Sequence, residues 1–293
     1  MTIAAPSVVV FGSLHYDIIV KGPHRPRKGE TVTGSAWYPK CGGKGGNQAV
    51  SAARYGVKSA MIGAVAEDSF GHALKLNLDA HGVDIRSVRT VAGEGSGMSV
   101  AIFDADGDYG AVIVSGSNLA LSEEDVSTAA ELFRSDAVLV LQNEVPDAAN
   151  VLAAQAMKKA GGRVVLNAAP ARLPSADLVA LVDVVVVNAV EAEALAEVPE
   201  VNSLDTALVA ARILGRHYPA AVVTAGGDGV AFVQNGGYEA KIPAIKVKLV
   251  STHGAGDEFI GALAAELARG ATLERAVNSG NEAAARLVSS PQA

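Results

Sequence analysis

The chain has 293 residues, 49% hydrophobic and 19% charged, proportions that exclude a disordered, collagenous or disulfide-scaffolded protein and describe an ordinary globular one. Its formal charge of −7 at pH 7 comes from 31 acidic and 24 basic residues scattered along the sequence, which argues against nucleic acid or an anionic membrane as a primary partner. The single cysteine, Cys41, allows no intramolecular disulfide and suits a reducing compartment.

Residues 1–6 lack the basic segment of a secretory signal, so the cytoplasm is the expected location. In chain order, β-branched runs at 8–11, 60–65, 137–141, 163–166, 184–187 and 221–224 read as buried parallel strands. The helical patterns between them stop at glycines: Gly82 after 71–81, Gly161 after 148–160 and Gly270 after 255–269. This alternation predicts an α/β fold, a doubly wound, mostly parallel sheet flanked by helices. Shorter runs at 18–20 with 31–37, and at 99–103 with 111–115 across the polar turn 104–108, predict a small accessory sheet. Its strands are expected as insertions at about 14–40 and 97–116 in one domain spanning 1–293. The most apolar stretch, 178–190, is broken by Asp183 and Asn188 and falls short of the roughly 20 apolar residues a membrane span needs.

Three segments carry chemistry. Cys41-Gly42-Gly43-Lys44-Gly45-Gly46-Asn47-Gln48-Ala49 puts four glycines around a lysine ahead of a helix of small residues. That suits close approach of the backbone to a polar, phosphate-accepting ligand. It is neither a Walker A loop nor GxGxxG, and a plain glycine-rich turn is its bland alternative. Ser251-Thr252-His253-Gly254-Ala255-Gly256-Asp257 follows a strand-like run at 245–250 and opens an apolar helix. Free amides at Gly254, Ala255 and Gly256 would cradle an anion, and Asp257 could accept the proton of an attacking hydroxyl. Equally, Asp257 could simply cap the helix. Asn188-Ala189-Val190-Glu191, at a strand's carboxyl end, offers polar ligands for magnesium or its waters, with Glu191 the metal-side residue, or merely a solvated helix start. Asp17 and Glu144 stand at further strand ends, and His24, His72, His81 and His217 show no metal-ligand spacing.

Taken together in this order, these segments resemble the ribokinase-like (PfkB) family of carbohydrate and nucleoside kinases over almost the whole chain. The opening Gly12-Ser13 with Asp17, then residues 29–34, Leu141-Gln142-Asn143-Glu144 and Asn167-Ala168-Ala169-Pro170-Ala171, resembles the ribokinase branch, whose members phosphorylate a primary sugar hydroxyl with ATP. The resemblance implies Asp257 as catalytic base with Gly254, Ala255 and Gly256 as anion hole. His15, Asp17, Gly43, Lys44, Asn47 and Glu144 fall at sugar-binding positions, and Asn188, Thr224, Gly226, Gly229 and Asn281 at nucleotide-side positions. It also implies ATP and magnesium as cofactors, a lid made of the accessory strands that excludes water, and a homodimer through that lid.

Three features depart from the branch. His15 replaces an asparagine that touches the sugar, and an imidazole differs from an amide in size and donor pattern. Ser251 replaces an aspartate that helps hold potassium, and the chain stops at Ala293, before the cation-binding loop of ribokinases; both argue against potassium activation. A nucleoside kinase is the nearest alternative, with Trp37, Tyr38 and Tyr109 available to stack on a base. A binding protein without turnover is the alternative of another class, against which Lys44 and Asp257 both stand. A dinucleotide-binding oxidoreductase fits the alternation but fails for want of GxGxxG after the first strand.

Overall fold

The computed structural model describes residues 7–105 and 109–290; residues 1–6 and positions 106–108 of the expected turn over 104–108 lie outside them, as does the side chain of Tyr109. The strands are β1 (Ser7–Phe11), β2 (His15–Lys21), β3 (Ala36–Gly42), β4 (Lys58–Ala66), β5 (Val83–Val91), β6 (Met98–Phe103), β7 (Tyr109–Val114), β8 (Ala137–Gln142), β9 (Arg163–Asn167), β10 (Val184–Asn188), β11 (Ala220–Thr224), β12 (Gly229–Gln234) and β13 (Tyr238–Pro243). The helices are α1 (Lys44–Arg54), α2 (Ser69–Ala80), α3 (Glu123–Thr128), α4 (Asp147–Lys159), α5 (Ala176–Val179), α6 (Ala189–Ala196), α7 (Leu204–Leu214), α8 (Ala255–Ala268) and α9 (Leu273–Ser289).

A nine-stranded sheet runs β13-β12-β11-β10-β9-β8-β1-β4-β5. It is parallel from β11 to β5, with β12 and β13 added antiparallel at one edge. Successive strand residues face opposite sides, so the valine-rich runs feed two cores. Val9, Phe11, Leu139, Leu141, Val185 and Val187 pack beneath α4, α6 and α7. Val8, Val10, Val138, Val140 and Val186 pack beneath α1, α8 and α9. Burial on both faces is why these strands read as continuous apolar runs instead of alternating ones. No helix among the described residues is long and apolar enough to cross a membrane.

A separate four-stranded sheet, β3-β2-β6-β7, is formed by the two accessory regions. The second strand of the first pair differs from expectation: it starts at Ala36 and runs to Gly42, beyond the 31–37 run. Pro39 is tolerated there because β3 is an edge strand and a missing N–H on the outer side breaks no ladder bond. β5 is not announced by any apolar run. Its Arg89 reaches out to a buried partner, donating to both carboxylate oxygens of Asp125 at 2.7 and 3.0 Å. Conversely, residues 245–250 form no strand. After a last bond from Ala244 N–H to Asp228 O at 3.1 Å, no neighbour among the described residues continues the ladder, and the segment is anchored instead by Val250 N–H donating to Val288 O at 2.7 Å.

Candidate active site

The carboxyl ends of β1, β8, β9, β10 and β11 share one rim of the large sheet, and the functional segments gather there. Helix α1 begins at Lys44, so Gly45 and Gly46 lie in its first turn and not in a loop before it. Gly43, at φ 83°, is its N-cap. Glycine is required at 45 because a Cβ would come within 2.7 Å of Ser13 N and O; its absence lets the helix start rest on the end of β1. There Lys44 N–H donates to Glu144 Oε2 at 3.0 Å. The Ser13 hydroxyl donates to the same oxygen, and His15 Nδ1 lies 3.8 Å from it.

Opposite stands the start of α8. Its N-cap, Gly254 at φ 81°, provides no side-chain cap. Asp257 does not cap the helix either. Its Oδ2 accepts from Asn47 Nδ2 and its Oδ1 from Gln48 Nε2, each at 2.9 Å. One turn further on, α1 and α8 come together so closely that a Cβ on Gly261 would fall 2.3 Å from the Ser51 side chain and 2.8 Å from Ala52 N. That approach brings Asp257 within reach of Asn47 and Gln48, four residues earlier on each helix. Burial raises the Asp257 carboxyl above its ordinary value, opposed by the Lys44 ammonium and the two amide donors. Of the three expected anion-binding amides, Ala255 N–H donates to Thr252 O at 3.2 Å, while those of Gly254 and Gly256 have no acceptor among the described residues.

These groups line a cleft of about 530 Å³ between the rim and the small sheet. Asp17 reaches it from β2, accepting from Ser99 Oγ at 2.5 Å across the β2–β6 pair. Burial pushes its carboxyl up, against the pull of Ser99 and the neighbouring histidines. His15 is 4% exposed, and its Nε2 has no partner among the described residues. Gly43, Lys44, Asn47, Glu144 and Glu191 complete the expected set on this side. Tyr38 lines the cleft, whereas Trp37, 68% exposed, projects from the other face of β3.

A second cleft of about 610 Å³ adjoins it, lined by Ala255, Gly226, Gly229, Asn281 and, from the segment after β13, Ile245, Lys246, Val247 and Leu249. Asn188, Thr224 and Gly256 belong to both clefts. Asn188 and Glu191 form a capping box on α6: Asn188 Oδ1 accepts from Glu191 N, and Glu191 Oε2 from Asn188 N, both at 2.9 Å. The pair is thus a helix start and a cleft wall at once. Burial raises the Glu191 carboxyl. Asn281 Nδ2 donates to Pro243 O at 3.0 Å, tying α9 to the end of β13.

Every residue expected at the site therefore lines one cleft or the other. Sequence reasoning passed over Ser13, Lys40, Gln48, Ser99, Gln142 and His253. Gln48 had a signal, its place within the glycine–lysine segment; Ser99 had none, since only the β2–β6 register brings it to Asp17.

The family model of the pfkB family carbohydrate kinases matches residues 5–293. The chain belongs to the PfkB family. It is accordingly an ATP-dependent phosphotransferase acting on a sugar hydroxyl. Among PfkB relatives, the ribokinase of Haemophilus influenzae is 36% identical over 281 residues, 95% of this chain and 91% of that protein. The deoxyribokinase of Salmonella typhimurium is 35% identical over 259 residues, 88% and 84%. The structure of Arabidopsis thaliana ribokinase complexed with ribose and ATP matches with a TM-score of 0.90 at 29% identity, covering 99% of this chain and 94% of that one. The two-sheet PfkB architecture is thus that of ribokinases.

Proposed function

We propose that this PfkB kinase transfers the γ-phosphoryl group of ATP to a primary hydroxyl of a small sugar, with Asp257 as general base and the amides at the start of α8 as anion hole. The observation that carries this reading is the junction of the two clefts at Gly256, Asn188 and Thr224, beside a carboxylate that does not cap its helix. A donor in one cleft and an acceptor in the other would meet over Asp257, and positioning with electrostatics supplies most of the catalysis in such transfers. The relatives named ribokinase and deoxyribokinase make ribose and deoxyribose the first candidates. Asp17 and Glu144 would accept from sugar hydroxyls, and Gly43, Lys44, Asn47 and His15 would frame the ring.

Magnesium fits this site through its waters. Among the described residues no three carboxylate, histidine or cysteine side chains are grouped to hold a metal, and an ion that keeps several waters while bound to phosphates needs none. Glu191 and Asn188 would face it, and when bound it neutralises phosphate charge. Potassium is not expected, because Ser251 supplies no carboxylate. The apolar Ala101, Phe103 and Ile113 of the small sheet face the polar cleft floor, which supports a lid role that keeps water from the transferring group. The exposed Val112 and Val114 on its edge strand β7 support dimerisation of that sheet with a second copy, and Cys41 as sole cysteine suits the cytoplasm.

The test is ADP release with Mg-ATP across pentoses, hexoses, sugar alcohols and nucleosides, beside the Asp257→Asn variant. Turnover with a pentose that vanishes in the variant supports the proposal; turnover only with nucleosides replaces it with the nucleoside reading.

A further inference from the structure

Gln48 is wholly buried and lines neither cleft, yet its side-chain amide is fully engaged. Its Nε2 donates to Asp257 Oδ1 at 2.9 Å and to Asn167 Oδ1 at 3.0 Å, and its Oε1 accepts from Gln142 Nε2 at 2.9 Å. The neighbours are fixed in turn. Asn167 Nδ2 donates to Val186 O at 3.3 Å, and the backbone oxygen of Gln142 accepts from Asn150 Nδ2 at 2.8 Å. Gly12 makes room for Gln142, because a Cβ there would fall 1.8 Å from Gln142 Oε1. Reversing the Gln48 amide would set its oxygen against two acceptor oxygens and its nitrogen against a donor. The donor direction therefore runs one way, from Gln142 through Gln48 to Asp257.

We propose that Gln48 is a positioning residue that reserves Oδ1 of Asp257 for the protein and leaves Oδ2, beside Asn47 at the cleft wall, as the oxygen that takes the proton. This rests on the reading of Asp257 as the base. A proton on Oδ1 would meet the donor of Gln48, which is wholly buried and has no room to turn away, whereas the donor at Oδ2 belongs to Asn47, a residue of the cleft wall with space to yield. In the step itself the acceptor O–H bond breaks and its proton passes to Oδ2. The oxygen's electron pair forms the bond to the γ-phosphorus, and the bond from that phosphorus to the β,γ-bridging oxygen breaks, releasing ADP. The charged groups facing Asp257 are Lys44 from α1, which favours its ionised form, and Glu144 after β8 and Glu191 from α6, which oppose it. Gln48 acts on the same side as Lys44.

Gln48→Met keeps the length of the side chain and removes its donors. Gln142→Met removes the donor that sets the Gln48 amide's direction without touching Asp257. For each, kcat and KM are measured against pH, and the Asp257 carboxyl is titrated by carbon-13 NMR in aspartate-labelled protein. Gln48→Met is expected to lower kcat about ten- to hundredfold with KM for sugar and ATP within about twofold. The acid limb of kcat and the carboxyl titration should both move up by about one pH unit. Gln142→Met should move both in the same direction by less. Wild-type kcat with an unmoved acid limb in Gln48→Met overturns the proposal, as does a loss of rate with no movement of the titration, the mark of a merely structural role. Should Gln48→Met not fold, the titration in Gln142→Met decides. An inactive wild type would count against the sugar-kinase reading, whereas an active wild type with unmoved titrations in the variants would count against this inference alone.

Discussion

Asn47 Nδ2 donates to Asp257 Oδ2 at 2.9 Å across 210 residues of chain. The bond joins the first turn of α1 to the first turn of α8, the two segments most distinctive in the sequence. It exists because Gly261 lets the helices touch one turn further along, so the geometry of the proposed base is set by helix packing and not by either segment alone.

Asp257→Asn is expected to retain sugar and ATP binding and to lose about a hundredfold or more in kcat, since an amide cannot accept the hydroxyl proton. Steady-state kinetics with isothermal titration of ATP checks both halves. Near-normal kcat would sink the general-base assignment.

The pH dependence follows from the sign of the Asp257 shift. Burial raises this carboxyl above its ordinary value of 3.8, and only the ionised form accepts a proton. The rate should therefore fall as pH is lowered through that raised value, placing the acid limb of kcat above the limb of an unperturbed aspartate. A pH–rate profile that stays flat down to pH 4 would contradict this.

Glu191→Gln isolates a stability effect. The Glu191 carboxyl is raised by burial, so ionising it costs more in the folded protein than in the unfolded chain. Its stabilising contribution is complete below the ordinary carboxylate range and is lost as pH rises through the raised folded value. Gln serves equally in the capping box and does not titrate. The variant should therefore melt about 1–3 °C higher than wild type at pH 8, a gain that vanishes toward pH 4. Calorimetric melting at the two pH values reads it, and a variant that melts lower at pH 8 would show the shift to be of the opposite sign.

His15→Asn should change which sugar is preferred. The Nε2 of this buried imidazole has no partner among the described residues and would be free to meet a sugar hydroxyl, and a shorter amide would meet a different one. The ratio of kcat/KM for ribose to that for deoxyribose is expected to change by about tenfold. An unaltered ratio would remove His15 from the specificity-determining groups.

Gly261→Ala should weaken fold and activity together. The added Cβ meets Ser51 and the backbone at Ala52, so α1 and α8 must part. A loss of about 1–3 kcal/mol in stability is expected, with kcat falling more than KM rises as Asp257 moves from Asn47 and Gln48. Denaturant unfolding and kinetics on the same preparation test the coupling, and a full loss of stability with untouched kcat would break it.

Much of this was legible in the sequence because the physics is local. Runs such as 184–187 are apolar throughout because both faces of β10 are buried, and no partner need be known to read them. Gly82, Gly161 and Gly270 mark helix ends because each adopts a positive φ that other residues avoid. Where the signal depended on a neighbour it failed. The alternation of Ile245, Lys246, Val247, Lys248 and Leu249 suggests a strand, but a strand needs an edge to pair with, and among the described residues the pairing ends with Ala244. β5 pairs with β4 although its own residues advertise no apolar run.

The sequence by itself determined the α/β class, the family and the residue types at the site, since backbone preference, hydrophobic period and motif spacing are written along the chain. Only the tertiary structure decided that Asp257 turns toward α1 instead of capping α8, that Ser99 meets Asp17, and that Gln48 stands behind the base. Those contacts join residues 82 to 210 positions apart, and their existence depends on strand register and on how closely two helices can pack, quantities that no single segment encodes.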